Sequence, residues 1–326
     1  MNTTTYDRSV NYNFISQQLT KYAGSFLYSA CLLGTLMNIF TFVQPKYTRR
    51  ACSLYLLTAS ICDLIHLNIG PLSNILQYGF HHDGIIRTLA YCRSKNYLVY
   101  ALMIISGTLT ALASINQFML TSTKSARWQF TCRSAGIRNI KLTILFWTIF
   151  STAIVFCSTR RYHASNNEQL ICSNSCQYLS CRLVQFIYVC WLNGFFPPII
   201  MMIFGFLASA NVRRLRQRSA SKSRLTRQIN EQLTSMLILQ SLKSMIASVP
   251  YAIFNCYWIR AVNQHRSLED QALENLIHQT IYVLFWSNYT SFFMYIYASN
   301  IFRHQWIKTM KKLICSFRRE QRRTSL

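Results

Sequence analysis

Two charged side chains sit deep inside long apolar runs, Asp63 and Lys243. An ionised group in such a place is expensive unless it faces an interior and finds a partner there. For Lys243 the alternative is a long stem that carries its ammonium back to a polar edge. A second set of residues has the chemistry of recognition. Asn96, Tyr100 and Met103 recur at helical spacing, as do Tyr251, Asn255 and Trp258, and again Glu274, His278 and Ile281. Each trio occupies one helix face. Together they offer aromatic rings, amides and one carboxylate, a lining suited to a short peptide whose cationic or amidated end needs pairing. The same residues also suit interhelical packing or an aromatic belt. Catalysis is not indicated. The histidines His66, His81, His82, His163, His265, His278 and His304 are scattered, and no convergent set of His, Asp or Glu occurs within the apolar runs. The twelve cysteines lack metal-ligand spacings. The chain reads as a binding protein that needs no metal or cofactor, and not as an enzyme.

The elements that must hold these residues follow from composition. Of 326 residues, 51% are apolar and 13% charged, well below the roughly one-quarter charged residues of a soluble domain. A net charge of +25 on its own suggests nucleic acid. Here, however, the basic residues cluster between apolar runs, as in loops beside membrane spans, so the expected partner is a lipid bilayer and not nucleic acid. A crossing helix needs about 20 mainly apolar residues. Seven stretches qualify, at 22–44, 52–77, 90–121, 140–158, 184–209, 231–258 and 273–298. The two-residue alternation of a barrel strand is missing, as are the internal repeats of a transporter and the filter segment of a channel. The expected fold is an all-α membrane protein, a seven-transmembrane helix bundle.

Orientation comes from the loops. The first, third and fifth connections and the tail carry 23 of the 34 Lys and Arg residues. That side is expected to face the cytosol, with the N-terminus outside and the protein multi-pass in the plasma membrane. Residues 1–21 then form an extracellular N-terminus, 22–298 the transmembrane domain and 299–326 an amphipathic helix and cytoplasmic tail. Asn2-Thr3-Thr4 is a glycosylation acceptor pattern. Cys92 lies at the outer start of the third span, and Cys172, Cys176 and Cys181 in the second outer loop, where oxidation is permitted. A bond from Cys92 to Cys172, with Cys176 as the alternative, would pin that loop over the bundle. Cys31, Cys52, Cys62, Cys157, Cys190 and Cys256 read as small packing residues. Cys315 follows a basic amphipathic stretch and suits reversible acylation.

Seven helices in this order, with these landmarks, resemble the rhodopsin-like G-protein-coupled receptors over nearly the whole chain. Gly34 to Asn38 is similar to the family's Gly-x-x-x-Asn, and Ala59 to Asp63 to its Leu-Ala-x-x-Asp. Trp147, Pro197-Pro198 and Pro250 match the tryptophan and kink positions. The run from Tyr295 to Phe302-Arg303 resembles the closing tyrosine and the start of a short amphipathic eighth helix. The stretch Gln232 to Gln240 followed by Pro250 looks most like invertebrate FMRFamide-receptor-like peptide receptors. The resemblance implies a cell-surface receptor for an extracellular ligand, a short neuropeptide, that signals through a heterotrimeric G protein. It also implies an intramembrane polar switch at Asn38, Asp63, Lys243, Ser291 and Tyr295, and a G-protein-facing set at Asn116, Gln117 and Phe118. In the family an acid like Asp63 holds a sodium ion. Lys243 aligns near that level and is expected to form an ion pair with Asp63 in the ion's place.

The departures from the family are as informative. Its Asp-Arg-Tyr reads Asn116-Gln117-Phe118 here, its Asn-Pro before the final tyrosine reads Ser291-Phe292, and its sixth-span tryptophan is Ser248. Losing the proline removes a helix kink. Three altered parts of the switch argue against efficient coupling, and fit a non-signalling decoy or partner receptor equally well; a chemoreceptor for a non-peptide ligand is a further alternative. Monoamine receptors of the family carry an aspartate where Val99 stands, which counts against an amine. The partner-facing surface would combine Asn211–Gln228 with Ser125–Arg138, whose basic residues also suit anionic lipid. Ser219, Ser221 and Ser223 lie there among Arg and Lys, a setting for phosphorylation.

Overall fold

The computed structural model describes residues 3–80, 89–122, 131–157, 159–162, 170–173, 183–218, 224–261, 267–300, 302–308 and 310–311. Asn2, Cys176, Cys315 and the serines at 219, 221 and 223 lie outside the described residues, as does the side chain of Cys172.

A single rod opens the chain: helix α1 (Thr3–Gln18), a π-helical segment (Leu19–Gly24) and α2 (Ser25–Phe42) run on without interruption. The boundary expected at residue 21 is therefore not a boundary of the backbone. The reason lies in Ser16, Thr20 and Gly24, buried at four-residue spacing, which give the rod a small-residue face for close helix contact. Its apolar part spans Asp7–Phe42, 36 residues, or about 54 Å at ~1.5 Å per residue. A hydrocarbon core is about 30 Å thick, so an upright rod projects well beyond it. Its far end is fastened to later elements, since Arg8 reaches Glu269 at 3.4 Å and Gln17 Nε2 donates to the Gly79 carbonyl.

After the one-turn α3 (Pro45–Thr48) come α4 (Ala51–Ile69), the one-turn α5 (Pro71–Asn74) and a second π segment (Ile75–Gly79). Proline sits in the first turn of both short helices, where its missing N–H costs nothing. Then follow α6 (Leu89–Thr121), α7 (Arg133–Phe150) and α8 (Thr152–Cys157). A two-stranded antiparallel hairpin, β1 (Thr159–Tyr162) with β2 (Leu170–Ser173), pairs Arg160 with Cys172. It is a short addition to a chain whose described elements are otherwise helical. A third π segment (Phe186–Phe195) leads into α9 (Phe196–Arg218), followed by α10 (Arg224–Ala261) and α11 (Leu268–Trp286). Ser267 caps α11 by accepting from the Asp270 backbone N–H. A 3-10 turn (Ser287–Tyr289) and α12 (Ser291–Ala298) follow, and residues 302–308 are helical.

Among the described residues, six helices are long and apolar enough to cross a membrane: Asp7–Phe42, Ala51–Gly79, Ala90–Thr121, Arg133–Ile154, Leu183–Arg214 and Asn230–Ile259. The fold is that of a helical membrane protein. Apolar residues Leu142, Leu145, Phe146 and Ile149 of α7 are all more than half exposed, as a lipid-facing helix requires. The seventh expected stretch is divided. It breaks at residues 287–290 even though the kink-forming proline is replaced, because Thr290 turns its hydroxyl onto the Ser287 carbonyl at 2.6 Å and other side chains hold the turn.

The core has two apolar clusters. One gathers Phe42, Tyr55, Leu109, Leu233, Phe292, Tyr295 and Phe302 toward the tail end of the bundle. The other gathers Leu67, Val189, Tyr251, Phe285, Trp286 and Tyr289 toward the hairpin end. A layer of polar side chains separates them.

Candidate functional site

The hairpin end holds the predicted recognition residues, and the structure brings most of them together. Tyr251 is stacked on Phe285 at 4.4 Å and on Tyr282 at 5.9 Å, while Tyr100 and Met103 pack against the same cluster. His278 lies between Trp258 and Tyr282, at 6.1 and 6.0 Å, and 5.5 Å from Phe254. This ladder of rings runs inward from the half-exposed Trp258 to the buried Tyr289. Three polar members are engaged within the protein. Asn255 Nδ2 donates to the Tyr251 carbonyl one turn back, Glu274 accepts from the Tyr257 hydroxyl at 2.7 Å, and Asn96 faces Cys92 Sγ on its own helix. Glu274 therefore already has a donor, so a cationic ligand group would compete with Tyr257. Cys92 is disulfide-bonded.

In the middle layer, Asp63 and Lys243 do not form the expected direct ion pair. Ser106 Oγ donates to Asp63, and Lys243 Nζ donates to the Asn288 carbonyl at 2.9 Å. The two charges stay within electrostatic range. Geometry explains the choice. The break after Trp286 frees carbonyls from the helical ladder, and an ammonium that reaches one meets a strong acceptor fixed in place. The Asn288 side chain in turn donates to Ser248 Oγ at 3.1 Å. Lys243 and Ser248 of α10 thus grip one residue of the broken element. Asn38 Nδ2 donates to Ser291 Oγ at 3.0 Å, which ties α2 to the first residue of α12. Tyr295 sits below in a ring cluster with Phe42 and Phe302.

At the tail end, Gln117 is fully buried. Its Nε2 donates to the Asn230 carbonyl at 3.0 Å and to Thr234 Oγ1 at 3.2 Å. Arg50, the extended residue just before α4, donates from Nη1 to Asn230 Oδ1 at 3.0 Å. Burial pulls its guanidinium below the ordinary pKa. Ser299 donates to Gln232 Oε1 at 2.6 Å. The first turns of α10 are therefore latched to α6, to the start of α4 and to the end of α12 through one charged and three neutral contacts. The neighbours of Gln117 have apolar and positional roles: Asn116 is buried, and Phe118 packs on Phe204 at 5.5 Å.

Sequence reasoning missed Arg50, Ser106, Asn230, Thr234 and Asn288. Arg50 was one of many loop cations, and the others are polar residues without local pattern. Only the distances between helices reveal them. No protein-family model matches the chain, and no curated protein matches it.

Proposed function

We propose that the chain is a seven-transmembrane receptor of the plasma membrane, with its N-terminus outside and its C-terminus in the cytosol. It binds a short peptide at the hairpin end and signals at the tail end through a heterotrimeric G protein. In this reading α11 and α12 form the seventh crossing, and the helical residues from Phe302 begin an amphipathic eighth helix. The observation that carries the reading is the latch on α10. A long helix lined by recognition residues at one end is held at the other by a few bonds that a modest force can break. Between them, Lys243 and Ser248 grip the broken element at Asn288, so a shift of α10 in the aromatic cluster must be felt by α12. Neutral hydrogen bonds contribute about 0.5–1.5 kcal/mol each, which suits a contact made to open.

The test is expression in cultured cells, with calcium and cyclic-AMP responses to a library of short C-terminally amidated peptides. The Gln117→Arg variant runs alongside at matched surface level. A dose-dependent response from the natural chain supports the reading. A response from Gln117→Arg alone means that binding is retained and coupling lost, a non-signalling receptor. Silence from both at normal surface level overturns the peptide-receptor reading.

A further inference from the structure

Cys190 and Cys256 come from different elements, 66 residues apart in sequence, and the sequence marks both as packing residues. The fold places their Cα atoms 6.3 Å apart with their sulfurs facing each other. That Cα separation falls within the roughly 4.4–6.8 Å that a disulfide spans. Local structure explains the meeting. Cys190 lies in the π segment Phe186–Phe195, whose wider turn re-aims side chains relative to an α-helix. Asn193 Nδ2 holds that register by donating to the Tyr188 carbonyl at 2.7 Å. Four residues after Cys190, Gly194 presses against Ala252 so closely that no side chain fits between them. The backbones of the π segment and α10 are thus brought together one turn from Cys256. The pair lies at the hairpin end, beside Asn255 and Trp258. Cys92 lies at that same end and is also disulfide-bonded.

We propose that Cys190 and Cys256 are an oxidation site that covalently clasps the π segment to α10. The clasp ties the hairpin end of α10 to the π segment, so that the two move as one body. In the forming step the two thiols lose two protons and two electrons, and one sulfur–sulfur bond forms. A protein disulfide donor accepts both, its own disulfide breaking to a dithiol by exchange. A dithiol reductant reverses the step. This assignment does not depend on what the protein binds.

The experiment uses the full chain purified from membranes. Free thiols are blocked with N-ethylmaleimide during lysis, and peptides are mapped by mass spectrometry before and after reduction. The expected result is a joined Cys190–Cys256 peptide pair lighter by two hydrogens. Its two thiols become alkylatable only after reductant, while Cys31, Cys52 and Cys62 are recovered reduced throughout. Hydrogen exchange gives the second measurement. Reductant is expected to raise exchange in residues 186–195 and 252–259 of the natural chain, and to leave those segments unchanged in the Cys190→Ser/Cys256→Ser double variant. That variant keeps the Cys92 bond, so comparing the two chains isolates the clasp. Recovery of Cys190 and Cys256 as alkylated thiols without reductant, or joined to other cysteines, overturns the proposal. So does a joined pair whose reduction leaves exchange unchanged.

Discussion

Replacing Gln117 with Leu tests the latch most directly. The substitution keeps the side-chain volume near that of Gln and deletes two donated hydrogen bonds, to the Asn230 carbonyl and to Thr234 Oγ1. At about 0.5–1.5 kcal/mol each, they sum to roughly 1–3 kcal/mol. Thr234 Oγ1 also donates to the Asn230 carbonyl at 2.9 Å, so that acceptor is not orphaned and the cost falls in the lower part of the range, about 1–2 kcal/mol. That shifts the closed-to-open balance of the α10 tail end by about 5- to 30-fold. Global stability should change less. Gln117 Oε1 is buried without a partner among the described residues, and an apolar replacement removes that unsatisfied acceptor. The assay is hydrogen exchange in membranes or detergent, reading amides of residues 224–234 against those of the α6 interior. Faster exchange confined to the start of α10, with an unfolding temperature close to that of the natural chain, is the expected outcome. Unchanged exchange at normal expression would show that Gln117 does not hold α10, and the latch argument would fail with it.

Arg50→Met removes a second bond to Asn230, and should open the same segment by a similar factor. Because both contacts converge on one residue, the double variant with Gln117→Leu should be non-additive in the same exchange assay. A Lys243→Met and Asp63→Asn cycle, read by thermal unfolding, should give a coupling well below the roughly 3–5 kcal/mol lost when one member of a buried ion pair is removed, because each charge has its own partner. A coupling of that size would restore the direct pair. Gly136→Val should lower stability by about 1–3 kcal/mol, since a Cβ at Gly136 would meet Ala51 Cβ at 2.8 Å, whereas Gly205→Ala meets only ordinary contacts and should be tolerated. Tyr257→Phe removes one donor from Glu274 at an exposed site, and should leave stability within about 0.5 kcal/mol while, if the proposed peptide-receptor reading holds, strengthening binding of amidated peptides with an N-terminal cation.

Much of the architecture is legible without coordinates, because crossing a hydrocarbon layer imposes a length and a composition that any reader of the chain can count. Six of the seven apolar stretches correspond to long apolar helices. The trios predicted for recognition on α6, α10 and α11 share faces because helical periodicity is local. Tyr100, Met103, Tyr251, Trp258 and His278 therefore fall into one aromatic region or at its edge. Errors arose where a local rule met a tertiary contact. Losing a proline predicts a straighter helix, yet the break at Ser287–Tyr289 persists because Thr290, Lys243 and Ser248 satisfy its backbone and side-chain groups. The helix that begins at Thr3 also runs through the polar N-terminal segment, on whose backbone the sequence alone makes no prediction.

Sequence alone determined that this is a helical membrane protein, which faces are apolar and which side chains lie at spacings fit for recognition. These properties depend on residue type and on separations of three or four positions. Tertiary structure decided who meets whom. Lys243 takes a carbonyl and not Asp63, Gln117 and Arg50 converge on Asn230, and Cys190 meets Cys256. Each outcome depends on the depth and rotation of two helices packed together, quantities set by the close fit of many side chains along their length, and no short stretch of sequence encodes them.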